Sequence, residues 1–404
     1  MSTTPEIPRD DAIPQLRLLL DTEAITPVLQ RSLGSGSAIA AAEIKYLRYK
    51  QGKSMLVRYE VTIDGSPQGV VALAEPEADL GARATKPRNL ELTRKVDGRT
   101  PAETPLAYDQ EHDVLVQWTP LDIELPAMAE PPERLLELLE QAGVKPRVAG
   151  ELPRLVHFKP GRRGVLSFGD HYLKIYAEED KFERAVTGMR AAAALPIRSA
   201  RCEATVPELN LTVQSFVAGD PPAGAAEVAP EAGAFLAILH AAEFDGVRLT
   251  PPAHRLHAVA ATASLLASIV PDLESRLQKL MARLESTMPD GPLVLSHGDF
   301  HARQMLGLNG DFGVIDFDAS CWAPAALDLA TYVTTVVRGV EDLPVGMATL
   351  DVLTDAYGSR PPGISWYLAA VLIRRASIPF RVFRKGWPEQ VEARVAAAEA
   401  ALGL

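Results

Sequence analysis

The segment Leu295-Ser-His-Gly-Asp-Phe-His-Ala-Arg-Gln304, with Val314-Ile-Asp-Phe-Asp318 close behind it, constrains this chain more than any other feature. The second run alternates apolar and acidic residues, as a short strand ending in ligands does. The first sets Asp299 five residues ahead of an amide, Gln304, on a turn opened by His297 and Gly298. Phosphoryl transfer from a nucleotide needs such a set. One carboxylate orients and deprotonates an acceptor hydroxyl, while an amide oxygen and a second carboxylate hold magnesium on the phosphates. A loop Asp and a strand Asp that merely solvate a turn explain a lone His-Gly-Asp, but not both segments at this spacing.

These residues resemble the catalytic loop and metal strand of the aminoglycoside phosphotransferase and choline kinase family, a relative of the protein kinases. Its members usually read His-Gly-Asp, four residues, Asn, then Ile-Asp-Phe/Trp-Asp/Glu. Here Gln304 stands in place of the Asn, as in bacterial maltokinases and actinobacterial glucosamine kinases, so the chain is nearest in motif to that branch. Gln keeps the amide oxygen on one more methylene and can still reach magnesium. The resemblance implies an ATP-dependent kinase with Asp299 as base or hydroxyl orienter and Gln304 and Asp316 as Mg2+ ligands. Asp318, two residues on along the strand, is a second ligand or a supporting partner. Leu327-Asp-Leu-Ala330 matches the family's Asp-Leu-Ala, in which Asp328 is a helix cap or loop anchor rather than a reacting group. His297 reads as loop scaffold, and His301 as packing or as a group facing the acceptor.

A kinase needs an ATP-holding lobe upstream, and residues 152–217 read that way. Leu155-Val-His-Phe-Lys-Pro-Gly-Arg-Arg-Gly164 is a strand entering a turn rich in glycine and positive charge, and Val165–Phe168 and His171–Tyr176 continue as strands. Gly161 and Gly164 flank Arg162 and Arg163, so charge supplements backbone donors unless the tip is simply solvated. Lys174 lies mid-strand among apolar neighbours, where a lysine has no structural reason to be; the competing reading is an edge lysine pointing to solvent. By resemblance it clamps the phosphates. Glu183, on the helix that follows, is the favoured partner, with Glu178 and Glu179 as rivals. Leu211–Asp220 is the last strand and the hinge, where the backbone of Ser215 and Val217 would bond the adenine edge.

The remainder reads as a mostly helical lobe, with helices from Ala232 to His240, from His257 to Glu285 with a break at Pro271, and over 324–340, 347–357 and 364–383. Arg374, Arg375, Arg381, Arg384 and Lys385 gather charge near the end, read first as a solvated face and second as an acceptor or phosphate site. Before the ATP lobe lies a weak internal echo of it. Tyr46–Tyr59 is similar to Leu155–Phe168, and Val114–Trp118 to Leu211–Ser215, with Val70–Ala74 as a strand between. No lysine occupies the phosphate position, so such a copy should not bind ATP; chance recurrence of basic-tipped hairpins is the competing reading.

The 404 residues leave room for roughly two to three domains with real cores, and 47% hydrophobic with 23% charged residues is ordinary for a soluble chain. A formal charge of −11 argues against a nucleic-acid-coating surface and is compatible with a cationic acceptor. Cys202 and Cys321 are too few for a disulfide framework, which fits a reducing, cytoplasmic setting. Neither a signal peptide nor a membrane span is read.

The expectation is therefore an α+β, bilobal, protein-kinase-like fold with an additional N-terminal α+β cap domain. The cap spans 1–150, the ATP-binding small lobe 151–218 and the helical catalytic lobe 219–404. The expected reaction moves the γ-phosphoryl group of ATP to a hydroxyl of a small polar acceptor, a sugar or aminosugar first. The rivals are a kinase for Ser or Thr of a precursor peptide and a non-catalytic, nucleotide-binding pseudokinase.

Overall fold

The computed structural model describes residues 7–146, 148 and 150–404. Residues 1–6, at the head of the stretch read as lacking a leader, lie outside it, as do Arg147 and Ala149 beside the expected border at 150.

Two five-stranded antiparallel sheets come first. One is built from β1 (Ile39–Lys50), β2 (Ser54–Ile63), β3 (Ser66–Ala74), β4 (Leu106–Asp109) and β5 (Val114–Trp118), in the order β1-β2-β3-β5-β4. Next come β6 (Arg154–Lys159), β7 (Arg163–Phe168), β8 (His171–Tyr176), the short β9 (Arg198–Ser199), β10 (Cys202–Val206) and β11 (Leu211–Ser215). Without β9 they form the second sheet, ordered β6-β7-β8-β11-β10. Each sheet places helix between its third and fourth members: Leu80–Thr85 with Pro87–Lys95 in the first, Glu179–Ala193 in the second.

The period-two alternation of strand side chains explains the layering. In β2 and β3, Met55, Val57, Tyr59, Val70, Ala72 and Ala74 join the core under helices Leu16–Leu20 and Thr22–Leu33. The intervening Leu56, Val71 and Leu73 join a second core that includes Phe158, Leu173, Ile175 and Val213 of the other sheet. The first sheet is thus buried on both faces. It also reaches the helical part, where Tyr49 meets Phe380 edge-on with ring centroids 6.2 Å apart.

The helical part contains Ala229–His240, Pro252–Ile269, Glu274–Ser286, Ala326–Val333, Leu343–Tyr357, Ile364–Ala376, Ile378–Arg381 and Trp387–Ala401. The break expected at Pro271 is present as a short 3-10 turn, and Leu273, Leu277, Leu280 and Leu284 form the buried stripe beyond it. The helix expected over 324–340 stops at Val333. The one expected over 364–383 breaks at Ser377, because Pro379 has no N–H to continue it. Trp387–Ala401 had no sequence expectation, since its alanines surround the helix without a stripe. Strands β12 (Leu293–Ser296), β13 (Met305–Leu308), β14 (Asp311–Val314) and β15 (Cys321–Pro324) carry the loops between lobes; β14 pairs with β13 and, in parallel, with β9. The metal segment departs from expectation, because β14 ends at Val314 and Phe317–Ala319 turn as a 3-10 helix. Asp316 and Asp318 are therefore brought together by a turn, not by strand alternation.

Candidate active site

β12 hands the chain to the loop of Asp299, and Asp328 pins that loop from beneath. Its Oδ2 accepts from the His297 N–H at 2.7 Å and its Oδ1 from the Gly298 N–H at 2.8 Å, while His240 Nε2 lies 3.2 Å from Oδ2. Burial alone would push the fully buried Asp328 up, but hydrogen bonding and charge from His240, then His297 and the Gly298 N–H, hold it below the ordinary carboxylate value. Asp328 is the loop anchor; it lies inside its helix and caps nothing. His297 donates from Nε2 to the Ile315 carbonyl at 3.1 Å and packs against Phe300 and Phe317, as a scaffold should. Gly298 has φ 83°, and a Cβ there would collide with the Ala319 carbonyl oxygen, so the turn needs glycine.

Asp299 projects, exposed, into the cleft, where its charge is felt by Lys159, His301, Arg374 and Arg375. Burial, then Arg375, Arg303 and His297, outweigh Asp299 and push the His301 imidazole down to about 4, so it is neutral near pH 7. Its Nδ1 is buried without a hydrogen-bond partner.

Across the cleft, Lys174 Nζ donates to Asp316 Oδ1 at 2.7 Å and to Asp318 Oδ1 at 3.1 Å. Leu173 and Ile175 face the shared core, so alternation turns Lys174 toward these acids. Asp316 occupies the left-handed region at φ 69°, a conformation that costs a non-glycine residue on the order of 1–3 kcal/mol and that the surrounding contacts must hold. Burial opposes its charge, but Lys174 and Arg163 keep the carboxyl well below its usual range. Gln304 is buried, and its Oε1 has no hydrogen-bond partner. Its main-chain carbonyl accepts from the Ile315 N–H at 3.0 Å, tying the catalytic loop to the acidic turn. A hard divalent cation takes oxygen ligands, and an orphaned amide oxygen with an ionised carboxylate fits one.

Glu183 and Ser215 stand apart from their expected partners, and Asp318 has a full set of donors. Glu183 is exposed and makes no ion pair with Lys174 among the described residues; Phe182, Ala185, Val186 and Met189 bury the opposite face of its helix. Asp318, read as a second ligand or a supporting partner, accepts from three donors: Lys174, Arg163 Nη1 at 2.6 Å and the Tyr176 hydroxyl at 3.0 Å. Ser215 spends its donor on the β10 side, its N–H reaching the Arg201 carbonyl at 2.9 Å while its hydroxyl accepts from the Arg201 N–H at 2.9 Å. Val217 lies buried just beyond.

Several residues escaped sequence reasoning. Asp122, between β5 and β6, accepts from the Gly161 N–H at 2.6 Å, so this tip amide of the β6–β7 turn is already engaged. Arg58 of β2 donates to the Phe158 carbonyl at 2.9 Å and lies over the Phe158 ring. Lys159 sits where both Asp316 and Asp299 act on it, though burial and then Arg163 dominate and push it down. Only the strongly basic β6–β7 turn signalled any of this.

Residues 172–363, which contain Lys174, Asp299, Gln304 and Asp316, match the model of the phosphotransferase enzyme family. The chain is a kinase-type phosphotransferase with an alcohol group as acceptor. Among solved structures it is similar to a choline kinase from Cryptosporidium parvum Iowa II, at 13% identity and a TM-score of 0.50, over 67% of this chain and 95% of that one. A putative aminoglycoside phosphotransferase from Ralstonia eutropha JMP134 aligns at 14% identity and 0.48, over 67% and 98%. A choline/ethanolamine kinase family protein from Mesorhizobium loti aligns at 16% and 0.46, over 66% and 94%. The choline kinase likeness supports the shared kinase-like α+β fold. No curated protein matches the chain. Among the described residues no helix is long and apolar enough to cross a membrane.

Proposed function

We propose that this protein transfers the γ-phosphoryl group of ATP to a hydroxyl of a small, sugar-like acceptor. The observation that carries the reading is the meeting of Lys174 from the second sheet with Asp316 and Asp318 of the helical part, beside the orphaned Gln304 oxygen. Gln304 and Asp316 would hold magnesium, whose charge neutralises phosphate oxygens as the γ-phosphate separates. Lys174 clamps the phosphates, Arg163 and Lys159 add charge where the Gly161 amide is engaged, and the Val217 backbone meets the adenine edge. Asp318 positions Lys174, Arg163 and Tyr176. Asp299 takes the hydroxyl proton as the acceptor oxygen bonds phosphorus and the bond to the ADP oxygen breaks. A nucleotide-binding scaffold has no use for this convergence. The first sheet, in this reading, is a degenerate copy of the ATP lobe that caps it and binds no nucleotide, its strand order and pairing supporting a duplication.

The test pairs calorimetry with ADP release. Asp316→Asn should lose most magnesium-dependent ATP binding, and unchanged affinity would remove it from the metal site. Asp299→Asn should retain ATP·Mg binding while turnover falls by about two orders of magnitude or more. Unchanged turnover would place the chemistry elsewhere.

A further inference from the structure

Beside the catalytic loop, on the helical side, lies a pocket of about 520 Å3 whose walls carry Arg303, Arg338, Arg375, Arg384 and Arg394. Its carboxylate is Asp342, which also accepts from the Arg338 main-chain N–H at 2.8 Å. Among the described residues none of the five arginines forms an ion pair with a side chain. A chain with net charge −11 has acids to spare, yet leaves these guanidiniums facing one another. They come from five separate places: the catalytic loop, the segment after helix Ala326–Val333, helix Ile364–Ala376, the connection after Arg381, and the last helix.

Their mutual influence is direct. Burial and then Arg384, Arg338 and Arg375 push Arg394 down, with Asp342 pulling back. Burial also pushes Arg375 down, with Asp299 raising it and Arg303 lowering it. Arg375 thus links the pocket to the carboxylate that receives the hydroxyl proton, and His301, two residues past Asp299, lines the same wall. Just outside, Arg374 is open to solvent but crowded by protein, and desolvation and then Arg255 lower it to about 10, with Arg381 and Arg375 adding to the repulsion and Asp299 opposing it. Five converging, partly desolvated guanidiniums facing a single carboxylate, Asp342, are complementary to a further anion, since planar Arg donors bind carboxylate and phosphate oxygens in pairs. The same field repels an ammonium group.

We propose that the acceptor is an anionic alcohol, a small hydroxyl compound bearing a carboxylate or phosphate group, with the anion held in the arginine pocket and the hydroxyl presented to Asp299. This rests on the kinase reading above and narrows it, excluding the cationic aminosugar class.

The experiment has two arms. With ADP·Mg saturating, inorganic phosphate is titrated by calorimetry into wild type, R375Q, and the R303Q/R338Q double variant, whose changed side chains are both exposed. One saturable site is expected, weakened about tenfold or more in both variants, with thermal midpoints showing that each is folded. In the second arm, ADP release is followed with glucose, glucosamine, glucuronate and glucose 6-phosphate. An anionic member should exceed its neutral and cationic counterparts in kcat/KM, and R375Q should raise its KM more than it lowers kcat. Absence of a saturable phosphate site, equal binding in all variants, or preference for glucose or glucosamine overturns the proposal. Failure to bind ATP·Mg while phosphate still binds in an Arg375-dependent way would instead overturn the kinase reading and leave the anion site standing.

Discussion

The two five-stranded sheets share one strand order, and their register agrees through the hairpin at the start of each. Lys50 pairs with Ser54 as Lys159 pairs with Arg163, and the turn glycines, Gly52 at φ 65° and Gly161 at φ 62°, adopt the same left-handed conformation. Even the amide at each tip is engaged alike: Gly52 N–H reaches Asp10 at 2.7 Å and Gly161 N–H reaches Asp122 at 2.6 Å. Deeper in, Leu73 lies between Leu56 and Leu115 as Lys174 lies between Val165 and Thr212. Where the second sheet turns a lysine to the cleft, the first has a leucine in the core between the sheets; where the second has Arg163, the first has Ser54. One scaffold therefore yields a chemical surface or a packed wall according to a few positions, and function has to be argued from those positions.

The largest expected effect comes from making the second sheet like the first. Lys174→Leu should cut ADP formation by about two to three orders of magnitude, the scale of losing an aimed electrostatic donor. It should also leave Asp316 and Asp318 with less compensating charge. Turnover within about threefold of wild type would mean the lysine serves only the apo ion-pair network. The reciprocal Leu73→Lys should create no nucleotide binding, because it buries an ammonium without a partner, and it should destabilise the fold by several kcal/mol (about 3–5). Chemical denaturation measures that loss; a stable variant would show that the wall is looser than its burial indicates.

A smaller effect should follow from separating the sheets. Asp122 is buried and accepts main-chain N–H groups of Gly161, Glu124 and Leu125. Asp122→Ala leaves the Gly161 and Glu124 N–H groups without their acceptor, while Leu125 keeps the main-chain carbonyl of residue 122, and the loss should cost about 1–3 kcal/mol. The phosphate turn should also loosen, raising KM for ATP several-fold while kcat changes less. A stability loss with no change in KM would show that the first sheet braces the second without shaping its turn.

This contact also marks where sequence reading stops. The hairpin patterns of β6 to β8, the mid-strand Lys174 and the spacing of Asp299, Gln304 and Asp316 are local features, and strand period and residue chemistry are enough to read them. The exposed position of Glu183 is not legible in the sequence, because only tertiary packing chooses which face of an alanine-rich helix is buried. Asp122 meeting Gly161, Tyr176 meeting Asp318 and the convergence of Arg303, Arg375 and Arg394 join residues far apart in the chain. Each looks locally like a turn acid, a strand tyrosine or a solvated charge. The run at Arg374 to Lys385 accordingly reads first as a solvated face, although part of it lines a pocket with arginines from elsewhere.

The smallest expected effect is on the pH dependence of stability, where the two regions pull in opposite directions. Asp122 has its folded carboxyl raised above 3.8, chiefly by burial, so the folded protein holds that proton more tightly than the unfolded chain. Its contribution therefore falls as pH climbs from 3.8 through the raised value. His301 has its folded imidazole lowered from 6.5 to about 4, so the unfolded chain binds that proton more tightly. Its contribution is complete above 6.5 and is lost as pH falls toward about 4. Wild-type stability across this acid window should thus be flatter than either group alone dictates. His301→Gln should remove the rising component, and Asp122→Ala the falling one, so the slopes of the two variants should differ in sign from each other relative to wild type. Urea midpoints measured across the window in low salt provide the comparison. If His301→Gln leaves the slope unchanged, the imidazole already titrates near its ordinary value, the site is wetter than its burial implies, and His301 would carry charge into the arginine pocket at mildly acid pH.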